Sequence, residues 1–402
     1  MSLHGLNSDS SLELTGDLPA PVPDALNHSK RLLDRIHTAI NANDGCISFR
    51  DYMQYALYEP GLGYYSAGCS KFGDAGDFIT APELSELFSQ CLARQCRQVL
   101  QLTGGDILEF GAGSGRMAGD IMRELDLLDC LPGRYLILET SADLRERQYN
   151  YLNESLPEMA NRFEWLDALP EQPFKGVVLA NEVLDAMPVH RLVIRGDRIS
   201  EACISWQDNA LAWTEAEACS ELVDCLMEIR NDIKVVWPDQ YVTEINLSIH
   251  PWINSVAGVL HEGLLLVTDY GYTRKEYYHP QRRDGTLICH YRHRAHGNPL
   301  LYPGLQDITA SVDFTLLAGT GNDAGMQVLG FTNQGQFLLG CGLDELLAQH
   351  DMDSMQYQLL AGQAKQLTLP GEMGERYQVM ALGRGLDVNL LGFRLSDQRY
   401  RL

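Results

Sequence analysis

The run Asp106-Ile107-Leu108-Glu109-Phe110-Gly111-Ala112-Gly113-Ser114-Gly115 constrains the fold more than any other stretch, because an apolar strand carrying a carboxylate opens at once into three alternating glycines. Such a loop turns sharply from strand into helix and lets a ligand touch bare backbone, which a Cβ would obstruct. Downstream, the pattern predicts a helix near 115–128, a strand at 135–139, a helix near 142–152, and strands at 162–166 and 176–181. Strands alternating with helices predict an α/β, Rossmann-like fold with a doubly wound, mostly parallel sheet. Val177-Val178-Leu179-Ala180 and Leu264-Leu265-Leu266-Val267 are continuous apolar runs, as strands covered on both faces require. Residues 189–215 have a different texture, with period-two alternation in His190-Arg191-Leu192-Val193-Ile194-Arg195 and a helical pattern near 217–230. They predict an α+β insertion after the fourth strand, at about 189–243. Further strands are expected at about 326–331, 377–383 and 390–395.

Upstream, residues 1–28 read as a flexible tail, in which Pro19-Ala20-Pro21-Val22-Pro23 favours extended backbone. Residues 29–104 read as an N-terminal helical portion with a glycine-rich lid, and 105–402 as the main domain. Ser29 would cap a helix carrying Leu32, Leu33, Ile36 and Ile40, and Ser48 a second through Phe49, Met53 and Leu57. Thr80-Ala81-Pro82-Glu83 has capping-box spacing ahead of the stripe Leu84, Leu87, Phe88, Cys91 and Leu92. A net charge of -23 argues against nucleic acid, since phosphates need clustered Lys and Arg, and leaves a basic protein segment as the easier partner. The ten cysteines include no Cys-x-x-Cys pair, so no metal site is expected. With no apolar leader and no apolar run near 18 residues, the expectation is a soluble cytoplasmic chain that does not insert into membranes. Association with further copies of the chain is compatible with the sequence.

In an open parallel sheet, ligands bind beyond the carboxyl ends of the strands. Glu109 there would repel a pyrophosphate, which backbone N–H groups and a helix N-terminus attract; S-adenosylmethionine has no phosphate, carries a sulfonium and an ammonium, and tolerates the acid. The spacing Gly111-x-Gly113-x-Gly115, in place of Gly-x-Gly-x-x-Gly, likewise disfavours a nicotinamide-dependent oxidoreductase. Glu139, ending Tyr135-Leu136-Ile137-Leu138, would accept from both ribose hydroxyls of a nucleoside, the alternative being a helix N-terminal charge. Asp167 would accept from the adenine amino group or serve as a turn residue. After the fourth strand, Asn181-Glu182-Val183-Leu184-Asp185 places two acids three apart, on one face of a helical turn. Two such acids suit a guanidinium, which stays protonated and must be oriented and relieved of a proton as a new bond forms; complementing a helix dipole is the alternative. Residues 274–296 gather Arg274, Lys275, Arg282, Arg283, Arg292 and Arg294 with His279, His290, His293 and His296, at a spacing that favours a cleft-shaping loop over a metal site.

Taken in order, these blocks resemble the MidA-like family of class I methyltransferases, which includes an arginine methyltransferase that assists assembly of mitochondrial complex I. The resemblance runs from about 32 to 395. It rests on Tyr52-Met53 through Tyr64-Tyr65, Gly76-Asp77-Phe78-Ile79-Thr80-Ala81-Pro82-Glu83, Glu109 to Gly115, Asn181-Glu182 through Asp185-Ala186-Met187-Pro188-Val189-His190, Asp269-Tyr270-Gly271-Tyr272, Pro303-Gly304 with Asp307-Ile308-Thr309, and Val312-Asp313-Phe314. The resemblance implies S-adenosylmethionine as methyl donor, S-adenosylhomocysteine as product, and a protein arginine in a respiratory-complex-type partner as acceptor. It also implies that Gly76, Asp77, Phe78 and Thr80 lie near the donor and that Asn181, Glu182 and Asp185 face the acceptor. A non-catalytic assembly or binding protein that keeps the fold and the donor site is the alternative function.

Overall fold

The computed structural model describes residues 18–67 and 80–402. The expected tail up to Asp17 and the lid residues Gly76, Asp77 and Phe78 lie outside the described residues. The chain divides into two compact units, one holding 80–185, 248–276 and 311–402, the other holding 18–67, 186–247 and 277–310 among the described residues.

The first unit is built on strands β1 (Asp106–Phe110), β2 (Tyr135–Leu138), β3 (Phe163–Leu166), β4 (Phe174–Asn181), β5 (Leu260–Tyr272), β6 (Gln327–Asn333) and β7 (Tyr377–Arg384). They lie in the order β6-β7-β5-β4-β1-β2-β3, parallel from β5 to β3 and antiparallel at β7 and β6; Val312–Asp313 adds a short parallel partner to β5. Glu109 stands opposite Ile137 and Leu179 in this register, so the ends of β1, β2 and β4 come out level. The reversal of direction about β1 and β4 creates the crevice in which a doubly wound sheet binds its ligand. The apolar runs behave as their composition requires. Ile107, Val177, Leu179, Leu264 and Leu266 join a core with α1 (Glu86–Thr103) and α2 (Arg116–Leu127). Leu108, Val178 and Leu265, of opposite parity, are equally buried.

The strand starts are held close by glycine. Gly176 has φ 130°, and a Cβ there would overlap the carbonyl oxygen of Asp106; one on Gly263, at φ 149°, would overlap that of Gly176. Two successive interstrand approaches therefore exclude any larger residue.

In the second unit, Cys46–Ser48 pairs with Arg198–Gln207, which also pairs with His190–Arg195 and Ala210–Glu217, and Tyr241–Ile245 extends the sheet beyond His190–Arg195. The expected N-terminal portion and the expected insertion thus share one sheet. Leu32, Ile36, Ile40, Phe49, Tyr52 and Met53 pack with Ile204 and Ile308. A small sheet of Ile288–Tyr291, Arg294–His296 and Asp307–Thr309 completes it.

Several local expectations fail for identifiable reasons. The first helix runs Pro23–Ala42, so Ser29 is not its cap but a buried residue inside it; Pro23, needing no helical N–H, starts the helix instead. Thr80 makes no side-chain capping bond, and the predicted single helix breaks at Ser85, whose extended backbone and hydroxyl start α1 anew. The strand expected at 390–395 is a short 3-10 turn, Leu391–Phe393, since Phe393 packs into the helical side of the core. Ser48 does cap its helix, accepting from Asp51 N at 3.0 Å. Among the described residues, no helix is long and apolar enough to cross a membrane.

The glycine spine yields a direct test. Gly176→Ala should destabilise the fold by about 1–3 kcal/mol through forced overpacking, read as a lower urea midpoint. Gly258→Ala, where a Cβ meets open space, should leave the midpoint unchanged or raise it slightly.

Candidate functional site

The glycine loop leaves β1 with Gly111 at φ 63°, Gly113 at 55° and Gly115 at 86°, all left-handed, so each position is closed to most side chains. Gly115 is the N-cap of α2. The loop is fixed from two sides. Gln148, buried on α3 (Ala142–Ser155), donates to the Gly113 carbonyl at 3.0 Å and to Glu139 Oε2 at 3.1 Å, while its own oxygen accepts from Trp165 Nε1 at 3.0 Å. On the other side Ser114 donates to Glu83, whose carboxylate also pairs with Arg116. The basic residue at the start of α2 is thereby occupied by an acid within the protein.

Glu109 and Glu139 are both buried. Glu109 lies on the same sheet face as Tyr135 and accepts its hydroxyl proton at 2.7 Å; burial pushes its carboxyl up to about 7, the Tyr135 hydrogen bond opposing and the Glu139 charge assisting. Glu139 Oε1 accepts from Ser141 N at 2.9 Å, which orients the carboxylate just beyond β2. A left-handed glycine cradle with two buried acids at its rim fits a cationic nucleoside donor and does not fit a pyrophosphate. Asp167 stands apart from this cluster: its side chain is 89% exposed and paired with Arg145. Thr80 caps nothing with its hydroxyl but begins the Ala81–Leu84 turn that carries Glu83 to the loop.

After β4 the expected helical turn is absent, for the chain makes an irregular bend. Glu182 takes φ 53°, a conformation costing a non-glycine residue on the order of 1–3 kcal/mol and held only by strong surroundings. The surroundings are visible. Its N–H donates to the Thr268 carbonyl at 2.9 Å, and Asp269 on β5 accepts from the N–H groups of the next three residues. The half-buried Glu182 carboxylate accepts from Asn181 Nδ2 at 3.3 Å and from Tyr377 OH at 3.0 Å. Tyr377 packs on Tyr270 with ring centroids 4.0 Å apart, and burial followed by the Glu182 charge raises both phenols above their usual range. Asn181 Oδ1 is buried with no hydrogen-bond partner. Asp185 is in the same turn, 4% exposed.

The sequence did not single out Gln148 or Tyr377, offered Glu83 only as part of a capping box, and assigned no role to Asp269. Gln148 had a signal, as the polar member of the buried stripe Leu144, Gln148 and Leu152; Tyr377 had none, lying on the last strand. In the basic segment, Arg274 pairs with buried Asp313; His296 is buried and His290 half-buried, and desolvation lowers both, His290 to about 4. Among the described residues no group of three or more His, Cys, Asp or Glu is arranged to hold a metal.

Residues 91–332 match the model of a family described as S-adenosyl-L-methionine-dependent methyltransferases. The chain is similar to a Burkholderia thailandensis protein solved with S-adenosyl-homocysteine bound, at 41% identity and TM-score 0.91, covering 96% of this chain and 100% of that one. It is also similar, at 28% identity, to the human mitochondrial protein arginine methyltransferase NDUFAF7, over 92% of this chain and 86% of that protein. The Drosophila melanogaster homologue of the latter is likewise 28% identical, over 85% of this chain and 82% of its own length.

The raised carboxyls predict a pH signature. A carboxyl whose folded value lies above its unfolded one holds a proton longer in the fold, so its contribution is present below the unfolded value and lost as pH climbs to the folded one. For Glu109 that window runs from about 4.5 to about 7, with Asp120 (to about 6) and Asp269 (to about 7) acting in the same direction. Urea unfolding of the ligand-free chain across this window should show Glu109→Gln losing less stability than wild type, since Gln still accepts from Tyr135. Equal pH slopes would remove Glu109 as a source of the dependence.

Proposed function

The chain belongs to the family of S-adenosyl-L-methionine-dependent methyltransferases, and from that premise we propose that it methylates an arginine side chain of a protein partner. The observation that carries the acceptor reading is the turn after β4, where Glu182, clamped by Asn181 and Tyr377, presents a carboxylate beside the orphaned Asn181 Oδ1. A guanidinium offers five N–H donors in a planar fork, and such an acceptor set suits it. Curated relatives named as protein arginine methyltransferases support the same reading.

When bound, the donor supplies an electrophilic methyl on a sulfonium. The residues assigned to hold it are Gly111, Gly113 and Gly115 by backbone contact, Glu139 at the ribose hydroxyls and Glu109 as a buried acid beneath the loop. Asp167, for which an adenine contact was expected, would have to leave Arg145 to make one. Gly76, Asp77, Phe78 and Thr80 are assigned to the donor side by resemblance alone. Glu182 orients the acceptor nitrogen and, with Asp185, takes the proton released as the N–C bond forms and the S–C bond breaks, leaving S-adenosylhomocysteine. Alignment of this kind supplies roughly 7–11 kcal/mol of barrier lowering. The -23 net charge favours approach of a basic, arginine-bearing segment. A partner of the respiratory-complex type is what the family resemblance implies.

Incubation with labelled S-adenosylmethionine and lysate, followed by mass spectrometry, should place label on arginine. Glu182→Gln should abolish it while S-adenosylhomocysteine at 100 times its dissociation constant still stabilises the fold by about 2.7 kcal/mol, read as a raised melting temperature; NAD should not. Label on lysine, an amide or a small molecule would refute the arginine claim. Donor binding without any transfer would favour a non-catalytic assembly protein.

A further inference from the structure

Asp269 sits at the carboxyl end of β5 and is 0% exposed. Its Oδ2 accepts from Val183 N at 3.2 Å, Leu184 N at 2.8 Å and Asp185 N at 3.3 Å, while Oδ1 accepts from Tyr270 N at 2.8 Å. Together with the Glu182 N–H on the Thr268 carbonyl, four successive amides of the acceptor turn are bound to one strand. The first turn of a helix would have left these N–H groups without partners inside the helix; in this bend three of them depend on a side chain 84 to 86 residues away.

We propose that Asp269 is a positioning residue for methyl transfer, holding the Val183–Asp185 turn so that Glu182 and Asp185 keep their working geometry, without itself touching donor or acceptor. The inference rests on the reading of Glu182 and Asp185 as acceptor-facing. A complete lack of exposure excludes direct contact with either substrate. Burial pushes the Asp269 carboxyl up to about 7 while its four N–H donors pull it down, so the charge that gathers them is fully present only above neutral pH. An amide of the same shape cannot replace it. Asn has a single acceptor atom, and its NH2 group would face either the amides of the turn or Tyr270 N–H.

The test compares the full-length wild-type chain with Asp269→Asn, using labelled S-adenosylmethionine and desalted lysate of the source cells as acceptor. Donor KM and the S-adenosylhomocysteine dissociation constant should stay within about threefold of wild type, while maximal incorporation falls about 100-fold, the scale of a misplaced reacting group. Incorporation within about threefold of wild type overturns the proposal, as does a loss of S-adenosylhomocysteine affinity matching the loss of rate. Should the variant not fold, amide exchange in the wild-type chain with S-adenosylhomocysteine decides: the Leu184 and Asp185 amides should exchange at least about 100-fold more slowly than unstructured chain. Exchange at the unstructured rate overturns it. No incorporation by the wild-type chain counts against the acceptor reading, and the exchange result still decides whether Asp269 holds the turn.

Discussion

Carboxylates buried at the carboxyl ends of parallel strands have to be satisfied by hydrogen bonds, and the loops of this protein are shaped by how that is done. Glu109 takes a phenol from the neighbouring strand, Glu139 an amide from the loop it begins and another from Gln148, and Asp269 the amides of a turn from the adjacent strand. An unpaired buried carboxylate would cost several kcal/mol. Each loop therefore has little freedom once its acid is in place. Gln148 couples two of these arrangements, touching the glycine loop and Glu139 with one amide group, so the loop and that acid are held in one frame.

Much of this frame was legible in the sequence because it rests on local rules. Continuous apolar runs such as Val177–Ala180 can be buried only between two helical layers, and alternating glycines at 111, 113 and 115 tolerate the positive φ that other residues resist. Positions immediately after such runs pointed to Glu109, Glu139 and Asn181–Asp185. The readings that failed were those in which a distant partner overrides a local signal. Glu182 and Asp185 look like acids in a first helical turn, but Asp269 and Thr268 supply the amides with partners from β5 and the helix never forms. Ser29 looks like a cap, yet Pro23 starts the helix about two turns earlier. Leu391–Phe393 has the composition of a strand and becomes a 3-10 turn because Phe393 meets Phe337 edge-on.

The two ends of the proposed reaction are built differently. On the donor side rigidity comes from backbone conformation, with left-handed glycines and a helix cap. On the acceptor side it comes from side chains: Tyr377 and Asn181 hold the carboxylate of a strained Glu182, and Asp269 holds the three amides that follow it. Strain held by several partners is the usual mark of a site where geometry carries the chemistry.

The placement of the donor at Glu139 is the claim on which the rest depends. Isothermal titration with S-adenosylhomocysteine, comparing the wild-type chain with Glu139→Ala, tests it most directly. Loss of two charge-assisted hydrogen bonds at roughly 1.5–3 kcal/mol each predicts affinity lower by about 100-fold to 10,000-fold in a chain that still unfolds cooperatively. Unchanged affinity in the folded variant would contradict it.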